Sequence, residues 1–401
     1  MMEILLLAVV TYLVIITIGY GVHKYLQMPW MFTVVVLGMI LSSFGLFKEV
    51  MEGQTFHFLA KMGMLFFLFT IGIDLELGEI RKLGKHIVVG NITLTLVEGF
   101  AIALFLYFLY PTFVHGSFFV ALLCGIAFGT VGEVVLLAIL KEFGLEKTRF
   151  GQLALGIGVF DDVFEILAMA IIVALPAFMT GGSQNSAWQK SLVIVLSLAG
   201  LVLATFILSW VGKAMRRYVS KISSESFVIP FSIFLLFFAF IYFGSLGFEN
   251  LGIVAAIFSG IAVNQALPEK LIQQYKKPIF FVGNMFLGPF FFLSLGGSMS
   301  LKALASYPVL IVSIMAISIA SRVLVSYLLF HGLLGKRQSV VMGIGLTAKF
   351  STSVISENLL FTLGLVAQPL YTAIMVAYIL LKPIIVGVFS RSLAVTKDII
   401  Q

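Results

Sequence analysis

Long apolar runs follow one another along almost the whole chain. Each has about 18 residues or more, the length that an α-helix needs to cross the hydrocarbon core of a bilayer. The thirteen runs lie at approximately 3–22, 30–47, 56–74, 86–109, 117–140, 151–179, 191–212, 226–245, 250–267, 279–298, 307–333, 338–362 and 369–390. Because 61% of the residues are hydrophobic and only 11% are charged, a soluble globular protein is excluded. The sequence predicts an all-α polytopic membrane protein.

The charges between the runs predict the orientation of the chain. Every second connecting segment is basic, from the one with Lys24 to the last one with Lys397. The opposite segments contain only Lys48, Lys190 and Lys302. The positive-inside rule then places the amino terminus outside and the carboxy terminus in the cytoplasm. The expected location is the inner (plasma) membrane of a prokaryote. The net charge of +7 is explained by these loops, and we expect no nucleic-acid partner.

Several function classes find no support in the sequence. It has no Walker-type phosphate loop and no His-Glu-x-x-His metal motif, which argues against an ATP-driven pump and an intramembrane metalloprotease. Cys124 is the only cysteine, so no intrachain disulfide is possible. Only about ten residues follow the last run, so we expect no nucleotide-binding or regulatory domain. We expect neither an enzyme nor a bound cofactor, and gradient-driven transport is the leading class.

Two neighbouring acids, Asp161 and Asp162, lie inside the sixth run. A carboxylate at the centre of a membrane helix costs about 2.5 to 3.5 kcal/mol on insertion scales, so a pair of them indicates a proton or cation site. Burial and like-charged neighbours, here Asp161 and Glu165, favour the protonated form of a carboxylate. Asp162 is therefore expected to hold either a proton or a dehydrated monovalent cation.

Other ionisable residues inside the runs divide between the two halves of the chain. Most of the acids lie in runs four to six and most of the bases in runs eleven to thirteen; Lys61 in run three and Glu357 in run twelve are the exceptions. These ionisable residues are Lys61, Glu98, Glu133, Glu165, Arg322, Lys349, Glu357 and Lys382. Transporters built from inverted repeats have their sites near the midplane, where matching elements of the two halves meet. We expect such a repeat between runs one to six and runs eight to thirteen, with run seven as the connector. Glu98, which shares its run with Asn91 and Thr95, is either part of a proton path or a satisfied polar contact, and the role of Glu357 stays open.

Two runs in matching positions predict interrupted helices. The fifth contains Gly129, Thr130, Gly132 and Glu133, and the twelfth contains Thr347, Lys349 and Ser351. Small and hydroxylated residues tolerate unwinding at membrane depth where the freed backbone lines a cavity. If the two breaks cross, the half-helix ends require nearby charges of both signs. Glu133 and Lys349 are candidates for those charges, or they are simply paired with each other.

The segment VFDDVFEIL at 159–167 resembles the aspartate-bearing helix of the cation:proton antiporter-2 family, which includes Kef-type and Nap-type proteins. Three other segments resemble the family as well. They are MGMLFFLFTIGIDLELGEIRKL at 62–83, GIVAAIFSGIAV at 252–263 and PFFFLSLGGSMSL at 289–301. The resemblance implies an NhaA/NapA-like antiporter fold of about thirteen helices, with an inverted repeat, two crossed broken helices, a homodimer and an elevator motion.

The resemblance also implies a division into domains. Dimerisation parts are expected at 1–85 and 223–300, and core ion-transport parts at 86–180 and 301–395. A linker helix is expected at 181–222, and a cytoplasmic tail at 396–401.

Individual residues can be carried over from the family by position. Asp162 matches the ion-carrying aspartate, Asp161 matches its variable neighbour, and Arg322 falls where the family has a basic residue facing that pair. Gly129, Thr130, Gly132, Thr347 and Ser351 fall on the broken-helix crossing. Lys349, Glu133 and Glu165 depart from the family pattern, which leaves ion choice and stoichiometry open.

These residues predict a secondary active antiporter that exchanges Na⁺ (or Li⁺ or K⁺) for H⁺ at Asp162, supported by Asp161 and the Thr130 hydroxyl. A permanent pair between Arg322 and Asp161 would leave one titrating carboxylate and an electroneutral exchange, because arginine effectively never loses its proton. The alternatives are a Kef-type K⁺/H⁺ antiporter without a cytoplasmic domain, a cation channel and a membrane sensor. We expect membrane lipid to surround the protein as its partner.

Overall fold

The computed structural model describes most of the chain. The described residues are 2–26, 28–75, 84–179, 193, 196–208, 210–212, 227–246, 250–349 and 353–400. Within helices, the side chains of 133–135, 138, 142, 162–163, 175–179 and 394–400 lie outside the description. The described residues form helices and turns, with no strand among them.

Helices correspond to all thirteen predicted apolar runs. We number them α1 to α13, with two halves each for α5 and α12. They are α1 Met2–Leu26, α2 Trp30–Ser43, α3 Gln54–Asp74, α4 Lys85–Leu109, α5a Phe118–Phe128, α5b Glu133–Glu142, α6 Arg149–Met179, α7 Leu196–Gly212, α8 Val228–Ser245, α9 Leu251–Ala266, α10 Glu269–Gly297, α11 Pro308–Leu334, α12a Lys336–Leu346, α12b Ser353–Thr362 and α13 Gln368–Ile400.

The all-helical membrane fold is therefore confirmed. Among the described residues, seven helices are long and apolar enough to cross a membrane: α1, α3, α4, α8, α10, α11 and the Gln368–Leu393 part of α13. Four shorter apolar helices, α2, α5a, α7 and α9, accompany them. The chain is a multi-pass membrane protein.

Two compact units make up the chain. The first unit comprises Met1–Glu49, Gly78–Ala168 and Leu293–Gln401, and the second comprises Val50–Leu77 and Met169–Phe292. In the first unit α4 packs on α5a, and α11 packs on both α4 and α12a. Gly99 and Gly125 face each other where α4 meets α5a, and a Cβ atom on Gly125 would collide with the Gly99 backbone. Such backbone approach between membrane helices is typical of small residues.

The second unit has its own apolar interior. Phe66 and Phe69 of α3 pack against Phe237 of α8, with ring centroids 4.5 and 4.9 Å away. Gly72 of α3 and Gly260 of α9 bring those two helices into backbone contact. Aromatic packing and close helix contact therefore stabilise this unit.

Candidate ion-binding site

Both predicted helix breaks are present, and they touch. Helix α5a ends at Phe128 and α5b begins at Glu133, while α12a ends at Leu346 and α12b begins at Ser353. The amide of Gly132 in the first break donates to the carbonyl of Ala348 in the second, at 2.6 Å. A Cβ atom at Gly132 would lie 3.2 Å from the carbonyl carbon and oxygen of Lys349. Glycine at this position permits the two unwound segments to cross.

Asp161 of α6 is held at the first break by three donors. Its Oδ1 accepts from the Asn91 side-chain amide at 2.6 Å and from the Thr95 hydroxyl at 3.3 Å. Its Oδ2 accepts from the backbone amide of Val131 at 2.6 Å. The carboxylate is fully buried, and these hydrogen bonds replace water around it. Asp161 therefore anchors the unwound segment of α5 to α6.

A second buried acid, Glu98 of α4, binds both bases of the site. Its Oε1 accepts from the Lys349 ammonium at 2.8 Å and from the Ser318 hydroxyl. Its Oε2 pairs with the Arg322 guanidinium. Glu98 and Arg322 are 0% exposed, and Lys349 is 1% exposed. With all four groups ionised, Asp161, Glu98, Arg322 and Lys349 have no net charge, and we call them the charge cluster.

The pairing of Arg322 differs from the sequence-based expectation. Arg322 was expected to pair with Asp161, but its ion pair is with Glu98. The reason is the packing of α11 on α4, which places Ser318 and Arg322, four residues apart on one face, opposite Glu98. The Lys349 ammonium pairs with the same acid, Glu98. Glu98 is a satisfied polar contact in this structure, and its place in a proton path, the other reading of the sequence, stays a prediction.

Arg322 also stabilises the first helix break directly. A guanidinium nitrogen donates to the carbonyl of Gly129, which accepts from the Thr95 hydroxyl as well, at 3.3 Å. Gly129 follows the last residue of α5a, so its carbonyl belongs to the negative end of that half-helix. The permanent positive charge of Arg322 therefore satisfies the Gly129 carbonyl. A crossing of half-helices was expected to need such a charge near each helix end.

Three residues on one face of α4 supply polar contacts to the site. Asn91, Thr95 and Glu98 are spaced by four and then three residues, which places them on one helix face. The first two bind Asp161 and the third binds Arg322 and Lys349. The spacing was visible in the sequence, although it did not reveal these partners. The Oδ1 atom of Asn91 is buried and has no hydrogen-bond partner among the described residues, so it is an oxygen available to a cation.

The remaining predicted site residues have different positions. Thr130 is buried in the first break and donates to Ala127 at 3.4 Å, and Thr347 donates to Gly343 at 2.9 Å. Glu165 is buried on α6, within electrostatic range of Tyr378. Asp162 lies in α6 next to Asp161, and Glu133 begins α5b, but their side chains lie outside the described part, as does all of Ser351. Their predicted roles stay predictions.

Two touching helix breaks and buried charges of both signs, in a chain of membrane helices, define the fold of an ion-coupled secondary transporter. The chain matches the family described as "Sodium/hydrogen exchanger, transmembrane" over residues 9–394. It belongs to that family, which confirms the assignment to the cation:proton antiporters. The family consists of transporters rather than enzymes, and membership supports cation:proton antiport as the class of activity.

Curated relatives and a solved structure agree with this assignment. A probable Na(+)/H(+) antiporter 3 of Methanocaldococcus jannaschii is 22% identical over 93% of this chain and 93% of its own length. The Na(+)/H(+)-K(+) antiporter GerN of Bacillus cereus is 24% identical over 80% and 79%. The solved structure of the sodium proton antiporter MjNhaP1 from Methanocaldococcus jannaschii matches with a TM-score of 0.57 and 15% identity, over 98% and 95% of the two chains. This last similarity confirms the antiporter fold.

Proposed function

We propose that this protein is a secondary active antiporter that exchanges Na⁺ for H⁺ at Asp162 by elevator-type alternating access. One observation is the main support: the two helix breaks meet beside a buried carboxylate, Asp161, whose neighbour in α6 is Asp162. Unwound backbone at membrane depth provides oxygen and nitrogen groups for a desolvated ion. The relatives named Na(+)/H(+) antiporters support sodium as the cation.

Asp161 serves as a support in this proposal rather than as the carrier. Its two oxygens are already bound to Asn91, Thr95 and Val131, so a cation at Asp161 would have to displace strong contacts. Asp162 is the next acid in the same helix. The hydroxyl of Thr130 and the free Oδ1 of Asn91 are hard oxygen ligands at the same break, as an alkali cation prefers.

Electroneutral exchange is the proposed stoichiometry. The charge cluster is balanced within itself, so the only change during the cycle is the replacement of H⁺ by Na⁺ on Asp162, and both carry one charge. Arg322 keeps its proton throughout. Lys349 is the one base of the cluster able to lose a proton, and such a loss would make the cycle electrogenic. A potential imposed across proteoliposomes should therefore not drive exchange, and potential-driven uptake of ²²Na⁺ would contradict this stoichiometry.

The decisive experiment measures Na⁺-dependent proton flux in proteoliposomes with a trapped pH dye. Asp162→Asn should abolish the flux, because the amide binds neither ion. Asp162→Glu retains a carboxylate and should retain part of the flux. Glu49→Gln, at an exposed residue of the short helix Lys48–Met51, should behave as wild type. Exchange that survives in Asp162→Asn would refute the assignment of the carrier.

K⁺/H⁺ exchange is the second candidate, favoured by the relative named Na(+)/H(+)-K(+) antiporter GerN. Challenging the same proteoliposomes in turn with Na⁺, Li⁺ and K⁺ separates the candidates. A channel would instead give cation flux without obligatory proton countertransport, at rates far above those of a carrier.

The assembly of the protein is a further part of the proposal. We propose a homodimer with dimerisation parts at 1–85 and 223–300, moving core parts at 86–180 and 301–395, and the carboxy terminus in the cytoplasm. Crosslinking in native membranes tests the dimer, and cysteine labelling from either side tests the orientation. A monomer in the membrane would refute the homodimer. Labelling of the carboxy-terminal tail from outside would refute its cytoplasmic location.

A further inference from the structure

Another buried acid, separate from the charge cluster, lies where the half-helices α5a and α12b pack together. Glu357 of α12b is fully buried, and its carboxylate is 3.5 and 3.8 Å from the thiol of Cys124 on α5a. From α13, Tyr371 and Tyr378 lie within its electrostatic range. We call these four residues the Glu357 pocket.

Among the residues that the structure describes, no cation is paired with Glu357. The buried bases Arg322 and Lys349 pair with Glu98 instead. The Cys124 thiol contacts Glu357, the phenols of Tyr371 and Tyr378 lie within its electrostatic range, and none of these three groups is a cation. An ionised carboxylate that is buried without a partner costs several kcal/mol, and such a group instead takes up a proton. The described surroundings therefore favour the neutral acid at Glu357.

A proton fits this pocket better than an alkali cation. Na⁺ and K⁺ require several hard oxygen ligands, whereas the Glu357 carboxylate accepts a hydrogen bond from the soft sulfur of Cys124. A carboxylic acid requires only one acceptor or donor beside it.

Stacked aromatic rings link the pocket to the charge cluster. The Lys349 ammonium lies 5.1 Å from the ring centroid of Phe128, and Phe128 stacks on Tyr378 at 4.9 Å. Beyond Tyr378, Glu165 lies on α6, the helix that bears Asp162. A rearrangement of the helix crossing would therefore move Tyr378, one of the four residues of the pocket.

From this geometry we infer that Glu357 is a second proton-binding site of the transporter. It holds a proton as the neutral acid in this conformation. When Tyr378 moves during the exchange cycle, Glu357 releases that proton to water and takes one back from the same side of the membrane, so the proposed electroneutral stoichiometry is unchanged. The proton leaves as H⁺, so the step requires no oxidant, reductant or metal. This inference rests on the proposed antiport and adds a residue outside the helix crossing to it.

Infrared spectroscopy combined with flux measurements tests the inference on the full-length protein in proteoliposomes. Wild type should show the carbonyl stretch of a buried protonated carboxyl group, and this band should be missing in Glu357→Gln and should decline in wild type as the pH rises. Asp162→Asn should retain the band even where it abolishes exchange, so failure of the proposed carrier remains distinguishable. Glu357→Gln should lose the alkaline part of the pH profile of Na⁺-dependent proton flux.

Other outcomes would overturn the inference. If the profile of Glu357→Gln coincides with that of wild type, Glu357 is a permanently neutral structural group. If the band is absent in wild type, or disappears on addition of Na⁺ at constant pH, the site holds a charge or an alkali cation. Should Glu357→Gln fail to fold, Cys124→Ala keeps the acid and removes the thiol. It should shift the frequency of the band, and an unshifted band would contradict the contact between Cys124 and Glu357.

Discussion

The charge cluster and the Glu357 pocket lie in the same compact unit but manage buried charge in opposite ways. In the charge cluster Glu98 pairs with both bases at short distance, and Asp161 is held by the Asn91 side-chain amide and the Val131 backbone amide. In the pocket one acid lies beside a thiol and two phenols. Fixed pairs hold geometry, because removing either partner leaves an uncompensated charge. An acid without a counterion is instead free to change its protonation, so the first region suits scaffolding and the second suits proton exchange.

Removing the shared acceptor of the cluster should have the largest effect. Glu98→Gln leaves Arg322 and Lys349 buried together without a negative partner, which we expect to cost about 3 to 5 kcal/mol of folding free energy. Thermal unfolding in detergent and Na⁺-dependent proton flux measure the loss. Glu49→Gln, which also removes one acid but on an exposed residue, is the control. A Glu98→Gln protein as stable as this control would show that the cluster is not a scaffold.

Removing one of the two bases should have a smaller effect. Lys349→Gln leaves Glu98 paired with Arg322 and Ser318, so we expect a loss of about 1.5 to 3 kcal/mol, the range for hydrogen bonds to charged groups. Lys349→Arg retains the charge and serves as the matched comparison. If exchange becomes sensitive to membrane potential only in Lys349→Gln, the charge balance of the cluster sets the stoichiometry. If exchange in Lys349→Gln stays insensitive to potential, the charge balance does not set the stoichiometry.

Hydropathy and residue type predicted much of this arrangement. The thirteen runs were visible because each membrane helix must satisfy its backbone internally over a fixed length. The breaks were visible because Gly129, Gly132 and Thr347 are small or hydroxylated residues inside apolar runs. The partner of Arg322 was not visible. Three-dimensional packing of α11 on α4 decides which buried acid the guanidinium meets, and sequence spacing between residues 98 and 322 contains no such information.

The pocket should tolerate loss of its acid far better than the charge cluster. Glu357→Gln replaces a neutral acid by a neutral amide of nearly the same shape, so we expect a change in unfolding free energy within about 1 kcal/mol. The same unfolding assay, run beside Glu98→Gln, gives the contrast directly. A loss as large as that of Glu98→Gln would mean that Glu357 is ionised and has a partner, and the distinction between the two regions would disappear.

An exposed ion pair in the other compact unit should have the smallest effect. The Lys276 ammonium lies 2.6 Å from the Asp74 carboxylate, a contact as short as those in the charge cluster, yet the two side chains are 42% and 51% exposed. Water and salt screen such a pair, so Asp74→Asn should cost at most about 1 kcal/mol, and less as salt is added. Double-mutant cycles with Lys276→Gln measure the coupling. A coupling that matched the loss in Glu98→Gln would show that distance rather than burial sets the strength of these pairs, contrary to the comparison drawn above.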